Sequence, residues 1–207
     1  MAEINNDHFL AELKKRSKII TEFILNKRFN DRFRPDHINS AVTAYVKHGG
    51  KRLRPAILMF SCGAVGGDET IAVPAAAAVE IFHTWTLVHD DIIDRDSLRR
   101  RKPTVHKQYS DLSVLSSSGI KLTEDEARHY GVSIAILTGD VQHGWGISLM
   151  AELTSLYNVD PLVTLDLIYE LDTKVLNNLV EGEVLDIQFA QNDIELLTPD
   201  KIEDMLW

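Results

Sequence analysis

The chain has 207 residues, 44% of them hydrophobic, and a formal net charge of −9. That is long and apolar enough to bury a sizeable core, which excludes wholesale disorder, and the acidic balance argues against general nucleic-acid binding. Cys62 is the only cysteine, so an intrachain disulfide and a cysteine zinc site are excluded. It reads most simply as a small buried apolar residue. Residues 1 to 20 carry acids, bases and polar groups rather than an apolar leader, and no apolar run approaches the ~20 residues of a membrane span. A soluble cytoplasmic protein is expected.

In chain order, Phe9, Leu10, Leu13, Ile19, Ile20, Phe23 and Ile24 predict an amphipathic first helix. Residues 26 to 37 are polar and end in a Pro-Asp turn signal. Residues 53 to 65 are apolar, with Pro55 acceptable in a first helical turn, and Gly66-Gly67-Asp68 ends them. Residues 70 to 95 are rich in Ala, Val, Ile and Leu, which predicts a helix buried on most sides, with Pro74 in its first turn. Residues 110 to 121, with three consecutive serines, read as a mobile loop. Thr123 to Glu126 is a capping box opening a helix to about residue 155. Gly139, Gly144 and Gly146 either weaken that helix or admit a close neighbour. Asp160-Pro161 opens a helix to about residue 190, with an interruption expected at Gly182, and Thr198-Pro199 opens another. Strand alternation is nowhere convincing, so the chain reads as all-α. Ile202, Met205, Leu206 and Trp207 form the apolar face of a helix barely begun, which suggests missing sequence.

The chemistry concentrates at residues 87 to 103, Leu-Val-His-Asp-Asp-Ile-Ile-Asp-Arg-Asp-Ser-Leu-Arg-Arg-Arg-Lys-Pro. On a helix, Asp90 and Asp94 lie one turn apart on one face, with Asp91 beside them. Acids at a helix C-terminus oppose the macrodipole and repel each other. A divalent, oxygen-seeking cation relieves both penalties, and the alternative is a solvated helix end. From Arg95 to Lys107 six Arg/Lys residues face one acid, whereas Glu181 to Trp207 holds eight acids and one lysine. Arg99, Arg100, Arg101 and Lys102 directly follow the aspartates, a placement that suits phosphate better than a solvated run. Gly49-Gly50-Lys51-Arg52-Leu53-Arg54-Pro55 pairs flexible glycines with three cations at a helix start, which fits either a phosphate or a turn with solvated charges. The spacing is not that of a Walker A loop. His83 falls two turns before Asp90 on nearly the same face, as a ligand contact or a hydrogen-bonded core histidine. His89 fits capping or packing as well as catalysis. Glu181, Glu183 and Asp186 read as helix-surface charge.

These pieces together resemble the trans-isoprenyl diphosphate synthases, the all-α polyprenyl synthetases. The carrying segments are residues 49 to 55, Asp-Asp-Ile-Ile-Asp at 90 to 94 and Arg-Arg-Arg-Lys-Pro-Thr at 99 to 104. Leu137-Thr-Gly-Asp140 and Glu181-Gly-Glu-Val-Leu-Asp186 resemble further family landmarks. The resemblance implies an isoprenoid-synthase helical bundle, with residues 1 to 207 a single domain forming the N-terminal portion of the full fold. It implies Mg²⁺ on Asp90 and Asp94 with Asp91 supporting. Arg99 would hold an allylic diphosphate, and Lys51, Arg54, His83 and Arg100 isopentenyl diphosphate. Ionisation-driven condensation would follow, in a homodimer, with Trp85, Thr86 and Phe82 limiting the product to C15–C20. On a helical wheel, however, Trp85 points well away from Asp90.

The chain also departs from the family. A second aspartate-rich motif and the Lys-Thr pair before it are not in this sequence, Arg101 stands where glycine is usual, and residues 108 to 122 look longer than typical. The chain alone is therefore expected to be catalytically poor or inactive. One rival is a synthase-like regulatory partner subunit without turnover. Another is an HD-type phosphohydrolase with His89-Asp90 and other histidines on a transition metal, which leaves Asp91, Asp94 and the arginines unexplained.

Overall fold

The computed structural model describes residues 6–29, 32–191 and 198–206. It divides into two compact units, Met1–Tyr157 and Asn158–Trp207. The first holds helices α1 (Asn6–Ile24), α2 (Asp36–Lys47), α3 (Leu53–Ala64), α4 (Val73–Ile93), α5 (Val105–Gln108), α6 (Leu112–Ser117) and α7 (Glu124–Tyr157). A two-residue hairpin, β1 (Leu98–Arg99) and β2 (Lys102–Pro103), joins α4 to α5. The second unit holds α8 (Pro161–Tyr169), a π-helical turn (Glu170–Val175), α9 (Leu176–Ala190) and α10 (Pro199–Leu206).

The core of the first unit is α4 against α7. Ala75 to Ala78, Ile81, Phe82 and Val88 of α4 are buried, as are Ala135, Trp145 and Leu149 of α7. Small residues let the two helices close up. A methyl added at Gly146 would sit 3.5 Å from the Ala78 carbonyl oxygen, and one at Gly139 would overlap the His89 ring. Of the two roles open to the α7 glycines, close approach is the one realised at Gly139 and Gly146, and α7 runs on through all three. Helix α2 covers the same core with Ala41, Val42, Tyr45 and Val46, tied to α7 by Gln142 Nε2 donating to the Val42 carbonyl at 2.8 Å.

Three sequence expectations are corrected. Residues 110 to 121 are not simply a loop. Asp111 accepts from Ser113 N at 2.8 Å and starts α6, which Leu115 anchors by full burial. The helix from Asp160 is interrupted at Glu170–Val175, while Gly182 lies uninterrupted within α9. The stretch after the aspartates carries a minimal β-ladder, Leu98 opposite Pro103 and Arg99 opposite Lys102. The capping box is formed as expected, Thr123 N donating to Glu126 Oε2 at 2.8 Å. Of the apolar face expected on the last helix, Ile202 is exposed. The side chains of Met205, Leu206 and Trp207 lie outside the described residues.

Candidate active site

Helix α4 delivers the aspartates because it ends where they lie. Arg95 N donates to Ile92 O at 3.2 Å and Asp96 N to Asp91 O at 3.0 Å. That is a Schellman closure with Arg95 at the left-handed position, φ 59°. An arginine there costs conformational energy that glycine would not. Asp94 N still bonds Asp90 O at 2.8 Å, so the two carboxylates are one turn apart. Asp90 is half-buried and Asp94 exposed. Burial, then the charge of Asp94, push the Asp90 carboxyl above its ordinary pKa.

Asp91 stands apart from that pair. It is fully buried, with Tyr45 Oη donating to Oδ2 and Arg99 Nε donating to Oδ1 at 2.8 Å. Arg99 also reaches Asp90 Oδ2 through Nη2 at 3.0 Å. Hydrogen bonding to Asp91 raises the Arg99 pKa further. One guanidinium thus bridges a buried and a half-buried carboxylate.

The remaining cations converge beside this bridge. A cavity of about 290 Å³ is lined by Gly50, Lys51, Arg54, Glu80, His83 and Arg100. Arg100 projects from the β1–β2 turn, where it and Arg101 hold φ of 53° and 65°. Such a two-residue turn favours glycine or asparagine. Arg100 Nη1 donates to the Gly49 carbonyl oxygen and its guanidinium packs over Gly50, whose φ of 141° admits no side chain easily. Arg54 Nη1 lies 3.4 Å from His83 Nε2. Burial, then Arg54 and Arg100, lower the His83 pKa to about 4, so the ring is neutral near pH 7. The expected grouping of Lys51, Arg54, His83 and Arg100 therefore corresponds to one cavity.

Arg52 separates from its neighbours. It is 5% exposed and bonds Glu80 Oε1 at 2.5 Å and the Val46 carbonyl at 2.6 Å. The two side chains are buried and paired through Nη1, with Arg52 Nε left without a partner, and the pair fixes the loop that presents Lys51 and Arg54. Sequence reasoning passed over Glu80 and Tyr45. Glu80 carried a signal, as the only charged residue between Val73 and Val88. Tyr45 carried none.

Phe82, Trp85 and Thr86 lie on α4 below the aspartates. Trp85 meets Phe82 edge-on at 5.0 Å and His143 of α7 at 5.0 Å. The Thr86 hydroxyl donates to the His83 carbonyl at 2.8 Å. His89 Nε2 lies 3.3 Å from the Ile136 carbonyl, a packing position against α7.

Among the described residues no three His, Cys, Asp or Glu side chains assemble into a metal cluster. The multi-histidine centre of an HD-type phosphohydrolase is therefore not found among them. Asp90 and Asp94 still suit Mg²⁺. That ion takes one or two carboxylates and fills its sphere with water and phosphate oxygens, and it would relieve the repulsion that raises the Asp90 pKa.

An all-helical core thus carries paired aspartates at a helix end and a cationic cavity close to them. The polyprenyl synthetase family model matches residues 35–206, and the chain belongs to that family. Geranylgeranyl diphosphate synthase of Sulfolobus acidocaldarius is 37% identical over 141 residues, covering 68% of this chain and 36% of that protein. The chloroplastic heterodimeric geranylgeranyl pyrophosphate synthase large subunit 1 of Arabidopsis thaliana is 35% identical over 163 residues, covering 77% and 38%. The crystal structure of geranylgeranyl pyrophosphate synthetase from Pyrococcus horikoshii Ot3 superposes with TM-score 0.76 at 30% identity, covering 97% of this chain and 52% of that one. The chain thus spans less than half the length of these curated relatives. No described helix is long and apolar enough to cross a membrane.

Proposed function

We propose that this chain serves short-chain trans-prenyl transfer, joining an allylic diphosphate to isopentenyl diphosphate in isoprenoid biosynthesis. The observation that carries the reading is the cavity of Lys51, Arg54, His83 and Arg100 beside the Asp90–Asp94 pair, with Arg99 bridging to Asp90. Two diphosphates need two anion sites side by side, and cations in these positions supply them. The names of the relatives, geranylgeranyl and farnesyl diphosphate synthases, support the substrate class. The family match runs through both compact units, which supports treating residues 1 to 207 as parts of one synthase domain.

In this reading Asp90 and Asp94 hold Mg²⁺, which when bound neutralises charge on the leaving diphosphate. Arg99 donates to the allylic diphosphate. Lys51, Arg54 and Arg100 neutralise the isopentenyl diphosphate, and neutral His83 adds a hydrogen bond. The allylic C–O bond breaks with its electron pair on the diphosphate. The isopentenyl double bond attacks the resulting cation, and a proton leaves from the adjacent carbon to the released diphosphate. No protein base is then required. Phe82, Trp85 and Thr86 limit the product to C15–C20. Homodimerisation belongs to the same reading, supported by exposed Leu162, Val163 and Leu165 on α8.

A second reading, a synthase-like partner subunit without turnover, draws on the similarity to a relative named as the large subunit of a heterodimeric geranylgeranyl pyrophosphate synthase. Calorimetry with isopentenyl diphosphate and a condensation assay with Mg²⁺ and an allylic diphosphate test both. Binding that weakens about tenfold or more in Arg54→Ala/Arg100→Ala is expected from the loss of two charge-assisted contacts. Condensation by the chain alone counts against the partner subunit. Equal binding in the double variant, or phosphate release with Mn²⁺ and no condensation, overturns the proposal.

A further inference from the structure

The buried neighbour of the paired aspartates raises a question their exposed members do not. Asp91 has no exposure, and a buried carboxylate is tolerated only when donors surround it. Its donors come from two sides. Arg99 takes Oδ1 through Nε at 2.8 Å and through Nη2 at 2.6 Å. Tyr45, 3% exposed on α2, takes Oδ2 with its hydroxyl, which in turn accepts from Val105 N at 3.2 Å. A single tyrosine oxygen thereby ties α2, α4 and the start of α5 together.

Two nitrogens of the Arg99 guanidinium have unlike sets of partners. Nε bonds only the buried Asp91, whereas Nη2 is shared between Asp91 Oδ1 at 2.6 Å and the half-buried Asp90 Oδ2 at 3.0 Å. An incoming anion can compete with Asp90 for Nη2 but meets only a fully buried partner at Nε. We propose that Tyr45 is the positioning residue of this site. By fixing Asp91, its hydroxyl holds Arg99 through Nε and leaves Nη2 to exchange Asp90 for an incoming diphosphate. The inference rests on the reading of Arg99 as a diphosphate contact. It also explains how one arginine serves both states: Asp90 keeps Nη2 aligned until the anion arrives and is released when it does.

Arginine side-chain NMR on the full chain tests this, with inorganic diphosphate and no metal as the probe. The Arg99 Nε–H signal is assigned by its loss in Arg99→Lys. In the wild type it exchanges slowly and persists through the titration while the Nη protons shift. In Tyr45→Phe the Nε–H exchanges about tenfold faster and diphosphate binds about tenfold more weakly, the scale of one lost hydrogen bond to a charged group. Tyr109→Phe, which removes a hydroxyl donating to the His37 carbonyl at 2.9 Å, changes neither. Unchanged Arg99 exchange in a folded Tyr45→Phe protein overturns the role of Tyr45 while leaving the diphosphate site intact. If Tyr45→Phe does not fold, the wild-type titration still decides, because loss of the Nε–H signal on adding diphosphate overturns the handover. A titration that leaves Arg99 unmoved altogether overturns the diphosphate reading itself and the handover with it.

Discussion

His83 shows how a residue's surroundings set its role. Its neutral ring sits among Arg54, Arg99 and Arg100 because burial and those charges hold its pKa near 4. The consequence for stability has a definite sign. The folded pKa lies below the ordinary value of 6.5, so as the pH falls the unfolded chain takes up the proton first. The contribution is complete above 6.5 and is lost as pH falls toward about 4. Urea unfolding across that window should show a steeper loss for the wild type than for His83→Gln, whose side chain does not titrate. A bound diphosphate offsets the arginine charges, so the His83 pKa should rise on adding inorganic diphosphate, read from its imidazole NMR shifts. Arg52, Lys51 and Arg54 make the complementary point. They look alike in sequence, yet one is locked on Glu80 and the other two face outward.

At the scale of elements, α7 is governed by what approaches it. Gly131 and Gly144 are both helical glycines, and intrinsic propensity alone favours alanine at each by about 1 kcal/mol. Their neighbours differ. A methyl on Gly131 would overlap the His106 carbonyl oxygen and crowd Ser110 of the α5–α6 connection, whereas one on Gly144 meets nothing within 4 Å. Thermal unfolding should therefore show Gly144→Ala stabilised by up to about 1 kcal/mol. Gly131→Ala should be destabilised by about 1–3 kcal/mol, since rigid backbone cannot step aside. The ends of α4 and α3 contrast in the same way. Gly66 closes α3 with a φ of 85°, which glycine adopts freely, but Arg95 closes α4 with a φ of 59°. Left-handed arginines at 95, 100 and 101 follow the aspartates on one short segment, so backbone strain gathers there.

For the whole molecule, the apolar side chains left in water matter most. Leu162, Val163, Leu165 and Tyr169 of α8 and Val180 and Val184 of α9 are exposed, and apolar side chains left in water favour association. Sedimentation at micromolar concentration should give a dimer or larger species; a monomer would count against the homodimer. The fold itself was largely legible, because helix periodicity, the Thr123 capping box and the Asp160-Pro161 start are local signals that residues three or four apart settle between themselves. The π-turn at Glu170–Val175 was not, since no glycine or proline marks it. Nor was α6, whose serine-rich sequence hid the Asp111 cap and the burial of Leu115.

By itself, the sequence determined that the chain is helical, that Asp90 and Asp94 share a helix face, and that cations follow them closely. Each is a relation within a few residues, set by backbone geometry. Only the tertiary structure decided which charges are buried in place and which remain open. Tyr45 meets Asp91 across 46 residues, Arg52 meets Glu80 across 28, and Arg100 meets the Gly49 carbonyl across 51. Those pairings follow from how α2, α3 and α4 pack, and packing sorts equally charged neighbours by the desolvation each must bear. That sorting separates Asp91, buried as an anchor, from Asp90, half-buried, and Asp94, exposed.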